Sequence, residues 1–244
     1  MRVRCLTTGA VRAKRGARGI RRYLVDEWRD ETLPVHAFLV EHPDGLCLFD
    51  TGQTAAAARP GYFPWWQPFF RLSRFELTGE DEVAVQLRRA GIGAGDLRWI
   101  VLSHLHTDHV GGLASLPEGE ILVSRVEWER ARGLGGRVRG YLPDRWPPGR
   151  EPKTVDFAGS PPVGPFAGSV DVAGDGRLLL VPAPGHTPGH AALLVDHRWL
   201  LGGDLAHSAA ELARVAPAVA RFCAAAGVRY LAAHDPAAPA LAGA

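Results

Sequence analysis

Histidines are distributed unevenly along the chain. Three of the ten lie within six residues, in a segment H-L-H-T-D-H that begins at His104. The segment follows a predicted buried strand, Trp99–Ser103. Because alternate residues of an extended chain face the same side, His104 and His106 can direct two imidazoles to one point, and after a turn Asp108 and His109 can present a carboxylate and a third imidazole to a neighbouring point. Such a cluster of nitrogen and oxygen donors indicates a site for a divalent metal.

Three later segments also place a metal-ligand side chain beside glycine or proline, just past an apolar strand. The donors and their predicted strands are His186 after Leu178–Pro182, Asp204 after Trp199–Leu201, and His234 after Val228–Ala232. Donors that follow the ends of several strands can converge on one rim of a two-sheet structure. The spacing therefore allows these side chains to lie near the first cluster.

The elements that must position the donors are strand-length apolar runs alternating with helical patterns. Further strands are predicted at Val3–Thr7, Val35–Glu41, Leu46–Phe49, Ile121–Ser124, Val170–Val172 and Ala191–Val195. Helices are predicted at Glu80–Ala90, from Val126 to Arg132, and between a capping box at Ser208 and Glu211 and a stop at Gly227. Residues Gly133–Pro165 are rich in Gly, Pro and Arg and indicate a long surface excursion. One domain over residues 1–244 is expected, a sandwich of two sheets with helices outside.

Composition excludes several classes of protein. With 244 residues, of which 46% are hydrophobic and 22% charged, the chain is a globular protein rather than a disordered one. A net charge of +2 gives no electrostatic case for nucleic acid as a partner. Neither a membrane-length apolar run nor a secretory signal is evident, so a cytoplasmic protein without a membrane partner is expected. The three widely spaced cysteines contain no C-x-x-C pair and are predicted to be small buried side chains.

The motifs taken together resemble one known family. H-L-H-T-D-H-V-G-G from His104, P-G-H-T-P-G-H from Pro184, G-G-D ending at Asp204 and the late H-D at His234, preceded by L-F-D-T-G at Leu48–Gly52, are similar to the metallo-β-lactamase superfamily. Within it, the chain most resembles the N-acyl-homoserine lactone lactonases and related bacterial metallohydrolases. The resemblance implies an α/β (α+β) fold, the αββα sandwich of two mixed sheets flanked by helices, with a two-metal site on one edge.

The resemblance also implies a role for each donor. The first metal ion would be bound by His104, His106 and His186, the second by Asp108, His109 and His234, with Asp204 bridging both and Asp50 bracing the site from behind. His190 is expected to support the loop that carries His186. Two such ions share a water and lower its pKa towards about 7, which yields hydroxide for hydrolysis. Asp108 is expected to hold this hydroxide and pass a proton to the leaving group. Zinc is the expected metal, and iron, cobalt or manganese also suit these donors.

His207 departs from the lactonase pattern. It lies three residues after Asp204, where lactone-cleaving relatives carry a tyrosine, and the D-x-x-H spacing is closer to members similar to methyl parathion hydrolase. A polar donor or proton shuttle near the metals is one interpretation, with His207 as a catalytic residue. A solvent-facing residue in the first turn of a helix is the other, and the residues alone leave both open.

An aromatic-rich segment runs from Tyr62 to Phe75. It is too irregular for an amphipathic helix, and core filling, a homodimer contact and a wall of the substrate pocket all remain open for it. A mixed role as dimer contact and pocket wall is favoured. The predicted substrate-pocket residues are Tyr23, Phe63, Trp65, Trp66 and Tyr141.

The predicted function is that of a dinuclear metal-dependent hydrolase, foremost a lactonase acting on N-acyl-homoserine lactones or related lactones, as in quorum quenching. Hydrolysis of organophosphates or aryl esters is the alternative, suggested by His207. Hydrolysis of β-lactams is less favoured, and so is a metal-binding module without turnover, for which a complete second set of ligands would be unnecessary. The expected partner is a small lactone or ester.

Overall fold

Two β-sheets form the centre of the computed structural model, which describes residues 1–14, 28, 31–67 and 72–243. The larger sheet has the strand order β4-β1-β2-β3-β5-β6-β7. Its strands are β1 Arg2–Ala13, β2 Leu33–His42, β3 Gly45–Phe49, β4 Ser73–Glu76, β5 Leu97–Val101, β6 Glu120–Ser124 and β7 Lys153–Val155. β1 to β4 pair antiparallel, whereas β3, β5, β6 and β7 run parallel, so this sheet is mixed.

The smaller sheet has the order β12-β11-β10-β9-β8. Its strands are β8 Val170–Asp171, β9 Leu178–Pro182, β10 Ala191–Val195, β11 Trp199–Leu201 and β12 Arg229–Leu231. β11 and β12 are parallel and the other pairs antiparallel, so this sheet is mixed as well. The bounds of β9, β10 and β11 are those predicted from their apolar runs.

The two sheets pack face to face through one apolar cluster. Phe38, Phe49 and Trp99 of the larger sheet contribute to it together with Leu193 and Leu201 of the smaller sheet. Every residue of β10 is buried, which is expected of a central strand covered on both faces. Its uninterrupted apolar sequence is the signature of that position.

Helices cover the two outer faces, and the last helix instead contributes Ala238 and Ala242 to the cluster between the sheets. In the described part of the chain they are α1 Val83–Arg89, α2 Thr107–Val110, α3 Arg125–Ala131, α4 Gly133–Arg137, α5 Ala209–Val215, α6 Pro217–Ala226 and α7 Ala238–Ala242. Val83 and Leu87 of α1 join a cluster on the outer face of the larger sheet, and Leu212 and Cys223 join one on the smaller sheet. The layers are therefore helix, sheet, sheet, helix, which confirms the predicted sandwich. Among the described residues no helix has the length and apolar character to cross a lipid bilayer.

The predicted surface excursion at Gly133–Pro165 is partly wrong. Lys153–Val155 forms β7, which pairs with β6 at the edge of the larger sheet. Tyr141, in the middle of the excursion, is buried at 2% exposure. The prediction failed because the region is rich in Gly and Pro and because a strand of three residues is too short to produce an alternating pattern.

Two predicted helices differ from those observed. The helix after Ser208 is interrupted at Ala216, because Pro217 cannot donate a backbone hydrogen bond and starts a second helix instead. Gly227 ends that second helix in the left-handed conformation, as expected. The helix predicted from Glu80 begins as a 3-10 turn, Gly79–Asp81, and becomes α-helical only in α1.

Candidate metal centre

The donor side chains lie on loops that leave one edge of the sandwich. His104 follows β5, and His106 stands immediately before α2, which carries the next two donors. His186, Asp204 and His234 follow β9, β11 and β12 of the smaller sheet. Loops at the carboxyl ends of these strands from both sheets therefore meet at the same place.

Three imidazoles form the first donor group, defined as His104, His106 and His186. His106 Nδ1 lies 3.1 Å from His104 Nε2 and 3.0 Å from His186 Nε2. Asp204 Oδ2 lies 3.3 Å from His186 Nε2 and 4.0 Å from His104 Nε2. All four side chains thus direct one atom to a common point.

Asp108, His109 and His234 form the second donor group. The Nε2 atoms of His109 and His234 each lie 3.2 Å from Asp204 Oδ1, and Asp108 Oδ2 lies 3.7 Å from His234 Nε2. Asp204 therefore presents one carboxylate oxygen to each donor group. A bridging role for Asp204 stays a prediction, which this arrangement permits.

The residues present fit two divalent cations. His104 and His106 each donate the proton of their other ring nitrogen away from the site, to Ser103 Oγ at 3.0 Å and to the Arg139 carbonyl at 3.3 Å. The unprotonated nitrogens of His104 and His106 then face each other at 3.1 Å, which is unfavourable unless a cation lies between them. Two nitrogens bound at about 2.0–2.1 Å to one tetrahedral zinc ion would be about 3.3 Å apart.

The second donor group passes the same test. His109 Nε2 and Asp204 Oδ1 are buried and have no hydrogen-bond partner among the described residues. Buried polar atoms are rarely left unpaired, and an imidazole nitrogen and a carboxylate oxygen side by side without a hydrogen bond indicate a place for a positive charge, either a proton or a cation. The seven donors are imidazoles and carboxylates, which suit zinc and also iron, cobalt or manganese.

Asp50 braces both donor groups from behind. Its Oδ2 accepts from His109 Nδ1 at 2.8 Å and from Ser103 Oγ at 2.8 Å, and its Oδ1 accepts from the Ser103 amide at 2.8 Å. Because Ser103 Oγ in turn accepts from His104, one carboxylate orients an imidazole of each donor group. Asp50 adopts a left-handed backbone conformation with φ 58°, which places its side chain under the site.

Other partners orient the remaining rings. His234 Nδ1 donates to the Pro34 carbonyl at 2.6 Å. His190 Nδ1 donates to the Ala183 carbonyl at 3.1 Å, and its Nε2 accepts from the Asp204 amide at 3.1 Å. His190 therefore holds the backbone of the shared aspartate, a positioning contact of the kind that metal ligands depend on.

The two donor groups differ in charge when no ion is bound. Burial, together with the neighbouring imidazoles, lowers the pKa of His104 well below its usual value and that of His106 to about 4. Burial alone would also lower the pKa of His109 and of His234, but nearby carboxylates outweigh it and both pKa values are raised. The carboxylates are those of Asp204 and Asp50 for His109, and those of Asp204 and Asp108 for His234. Without a cation, the second donor group therefore holds protons more readily than the first.

His207 lies at the edge of the second donor group. Its ring packs edge-on against the His234 ring with centroids 5.4 Å apart, and its backbone N–H donates to Glu211 Oε2 at 2.9 Å. The side chain is 44% exposed and, with His186 and Asp204, it lines a cavity of about 330 Å³. The structure therefore brings His207 beside the donors while leaving it accessible from solvent.

The predicted pocket residues have different surroundings. Tyr23 lies outside the described residues. Phe63 is half-buried, while Trp65 and Trp66 are 84% and 41% exposed. Tyr141 is buried and lines a cavity of about 220 Å³ beside the loop of the first donor group. Their contact with a substrate remains a prediction.

Sequence reasoning missed two residues that hold the loops. Ser103 connects Asp50 to His104, and Glu127 is a fully buried carboxylate against the first donor group. Ser103 could have been suspected, because it directly precedes the H-L-H motif at a strand end. Glu127 gives no such signal, because a single Glu in the first turn of a predicted helix is typical of a solvated position.

Comparison with known proteins points to one family. The model of the metallo-beta-lactamase superfamily matches residues 30–236. A probable metallo-hydrolase of Mycobacterium tuberculosis is 38% identical over 176 residues, which are 68% of this chain and 54% of that protein. The N-acyl homoserine lactonase AttM of Azorhizobium caulinodans is 32% identical over 178 residues, 68% of this chain and 61% of that protein.

A solved structure shares the fold. It is an N-acyl homoserine lactone hydrolase with the product N-hexanoyl-L-homoserine at its catalytic metal centre, with a TM-score of 0.69, 20% identity, and coverage of 96% of this chain and 93% of that one. The chain thus belongs to the metallo-β-lactamase superfamily, as its motifs predicted. Its match spans about half to three fifths of the length of the two relatives named above.

Proposed function

We propose that the chain is a metal-dependent hydrolase with two divalent ions, foremost zinc, and that it opens lactone rings. The division of the Asp204 carboxylate between two donor groups carries this proposal, since each oxygen faces one complete set of ligands. A binding module would need only one set. The names of the Azorhizobium lactonase and of the lactone hydrolase structure support a lactone as substrate.

The chain's own residues divide the chemistry between them. A bound pair of divalent ions supplies Lewis acidity, which polarises a carbonyl and acidifies water. The carboxylate of Asp108, 16% exposed at the site, takes the proton of the attacking water and returns it to the leaving alkoxide. Asp50, Ser103 and His190 keep the donors in place, so that the site is organised before substrate arrives.

The cavity beside His207 is the proposed position of the substrate. It holds about 330 Å³ and reaches from His186 and Asp204 to Val215, so an acyl group of modest size fits next to the donors. His207 can donate a hydrogen bond to a carbonyl or phosphoryl oxygen there. Because an imidazole serves both, hydrolysis of phosphotriesters or aryl esters is the second candidate function.

The test uses one zinc-reconstituted preparation with three classes of substrate: acyl-homoserine lactones, simple γ- and δ-lactones, and a paraoxon-type triester. We expect turnover of lactones that is lost on chelation, restored by zinc, and absent from His104→Ala and from Asp204→Asn. Faster turnover of the triester would favour the second candidate. Zinc-loaded protein that leaves every lactone intact at millimolar concentration would refute the lactonase.

A homodimer through the exposed indoles is part of the same proposal. Trp65 and Trp66 are 84% and 41% exposed, a large apolar area for a free surface. Replacement of both by serine should convert a dimer to a monomer in sedimentation velocity without loss of zinc. A native chain that sediments as a monomer at all concentrations would refute the dimer.

A further inference from the structure

A buried carboxylate lies directly behind the first donor group. Glu127, in the first turn of α3, is 0% exposed, although charged side chains are rarely buried completely unless they are well paired. It has no role in the proposed reaction, because it faces the loops and not the donor atoms. Such a residue must be stabilised by hydrogen bonds, and its partners show what it holds.

Each partner of Glu127 belongs to a segment that carries or contacts a ligand of the first donor group. Oε1 accepts from the amide of Leu105 at 3.1 Å, and Leu105 lies between His104 and His106 in the chain. Oε2 accepts from Thr187 Oγ1 at 2.7 Å, and Thr187 directly follows His186. Burial and the charge of this carboxylate raise the pKa of Tyr141, and the Tyr141 ring packs at 5.1 Å against that of His106.

The loop of His186 is also packed tightly against α3. A Cβ at Gly189 would lie 2.2 Å from the backbone nitrogen of Glu127, so only glycine permits this approach. The hydrogen bond from Thr187 and the glycine contact together fix the loop on the helix. The loop of His104 and His106 is held to the same helix turn through Leu105.

We propose that Glu127 is the positioning residue of the first donor group: its carboxylate ties the two chain segments that supply His104, His106 and His186, and so sets the spacing of the three imidazoles. The proposal rests on metal binding by this group, as in the proposed function, but not on the substrate. The second donor group is held by other contacts, from Asp50 and Pro34.

Because different contacts hold the two donor groups, a change at Glu127 should affect metal binding by the first group only. In Glu127→Gln an NH₂ group replaces one of the two oxygens, so the Leu105 amide and the Thr187 hydroxyl can no longer both donate to this side chain, and the two loops are held less firmly. Loss of an outer-shell partner lowers metal affinity about 10- to 100-fold. We expect that loss for the first donor group and less than about twofold change for the second.

The experiment measures the zinc affinity of each donor group separately, by competition with a chromophoric chelator. His234→Ala leaves the first group intact and His186→Ala the second. In each of these backgrounds Glu127→Gln and Thr187→Val are compared with Thr187→Ser, which keeps the hydroxyl. Thermal unfolding of the metal-free proteins confirms that each variant is folded, and Thr187→Val serves if Glu127→Gln does not fold.

The expected result is about 10- to 100-fold weaker zinc binding for Glu127→Gln and Thr187→Val in the His234→Ala background only. Thr187→Ser should bind as tightly as its parent. Equal losses in both backgrounds, or no loss in either, would overturn the proposal. The selective loss in a protein that hydrolyses no lactone would refute the proposed function and leave Glu127 as the positioning residue.

Discussion

Replacement of Asp50 by asparagine should weaken zinc binding about 10- to 100-fold, because the carboxylate orients an imidazole of each donor group. The carboxylate accepts three hydrogen bonds, one from His109 and two from Ser103, each 2.8 Å long. An asparagine offers one oxygen and one NH₂ group, so at least one of these hydrogen bonds is replaced by a repulsive contact between two donors. A hydrogen bond to a charged group contributes about 1.5–3 kcal/mol, which agrees with the expected loss in affinity.

The backbone should tolerate this change. Asn adopts the left-handed conformation of Asp50 as readily as Asp does, so the φ of 58° adds no strain to the variant. Asp196 provides a matched control, because it also has a positive φ, 52°, and pairs with Arg177 on another loop. Asp196→Asn therefore repeats the same chemical change in the same backbone conformation away from the donors.

The assay is competition for zinc with a chromophoric chelator, together with the metal content per chain after dialysis. Asp50→Asn should retain less zinc than the wild type under conditions where the wild type retains two ions per chain. Asp196→Asn should retain two. Zinc affinity of Asp50→Asn equal to that of the wild type, or an equal loss in Asp196→Asn, would refute the bracing role.

Three further outcomes are expected. On acidification the second donor group should lose zinc before the first. The raised pKa of His109 means that a proton must leave before an ion binds there, whereas His106, with a pKa of about 4, is already unprotonated. Calorimetry in buffers of different ionisation enthalpy counts the protons released on zinc binding, and equal release from both groups would contradict this prediction. Gly189→Ala should lower the free energy of unfolding by about 1–3 kcal/mol in denaturant, since its Cβ would meet backbone at 2.2 Å, while Gly185→Ala, with nothing within 4 Å, should not. His207→Tyr should change kcat for lactones more than zinc content, and loss of zinc instead would make His207 a ligand.

The donor positions could be predicted because each ligand has its own local signal. A strand of apolar residues ends, and a His or Asp follows beside glycine or proline. His186 and Asp204 are examples, and their strands β9 and β11 were predicted with the observed bounds. Local pattern is sufficient here because strand ends and ligands are adjacent in the chain.

Glu127 could not be predicted because its role depends on contacts that are remote in sequence. It meets Thr187 from a loop of the other sheet, and no pattern around position 127 distinguishes it from a solvated first-turn Glu. β7 was missed for a related reason: three residues in a Gly- and Pro-rich region become a strand only because β6 offers a free edge. Tertiary contacts, not propensity, decide both.

The placement of the ligands on both sheets has a consequence for durability. The loop after β5 comes from the larger sheet, whereas those after β9, β11 and β12 come from the smaller one. Bound ions would join the two sheets at this rim, in addition to the hydrogen bonds that already cross it from the Ala191 amide to the Ser103 carbonyl and from the His36 amide to the Ala233 carbonyl. Zinc would then stabilise the fold as well as take part in hydrolysis. Removal of the metal should therefore lower the resistance of the protein to heat and proteases as well as its activity.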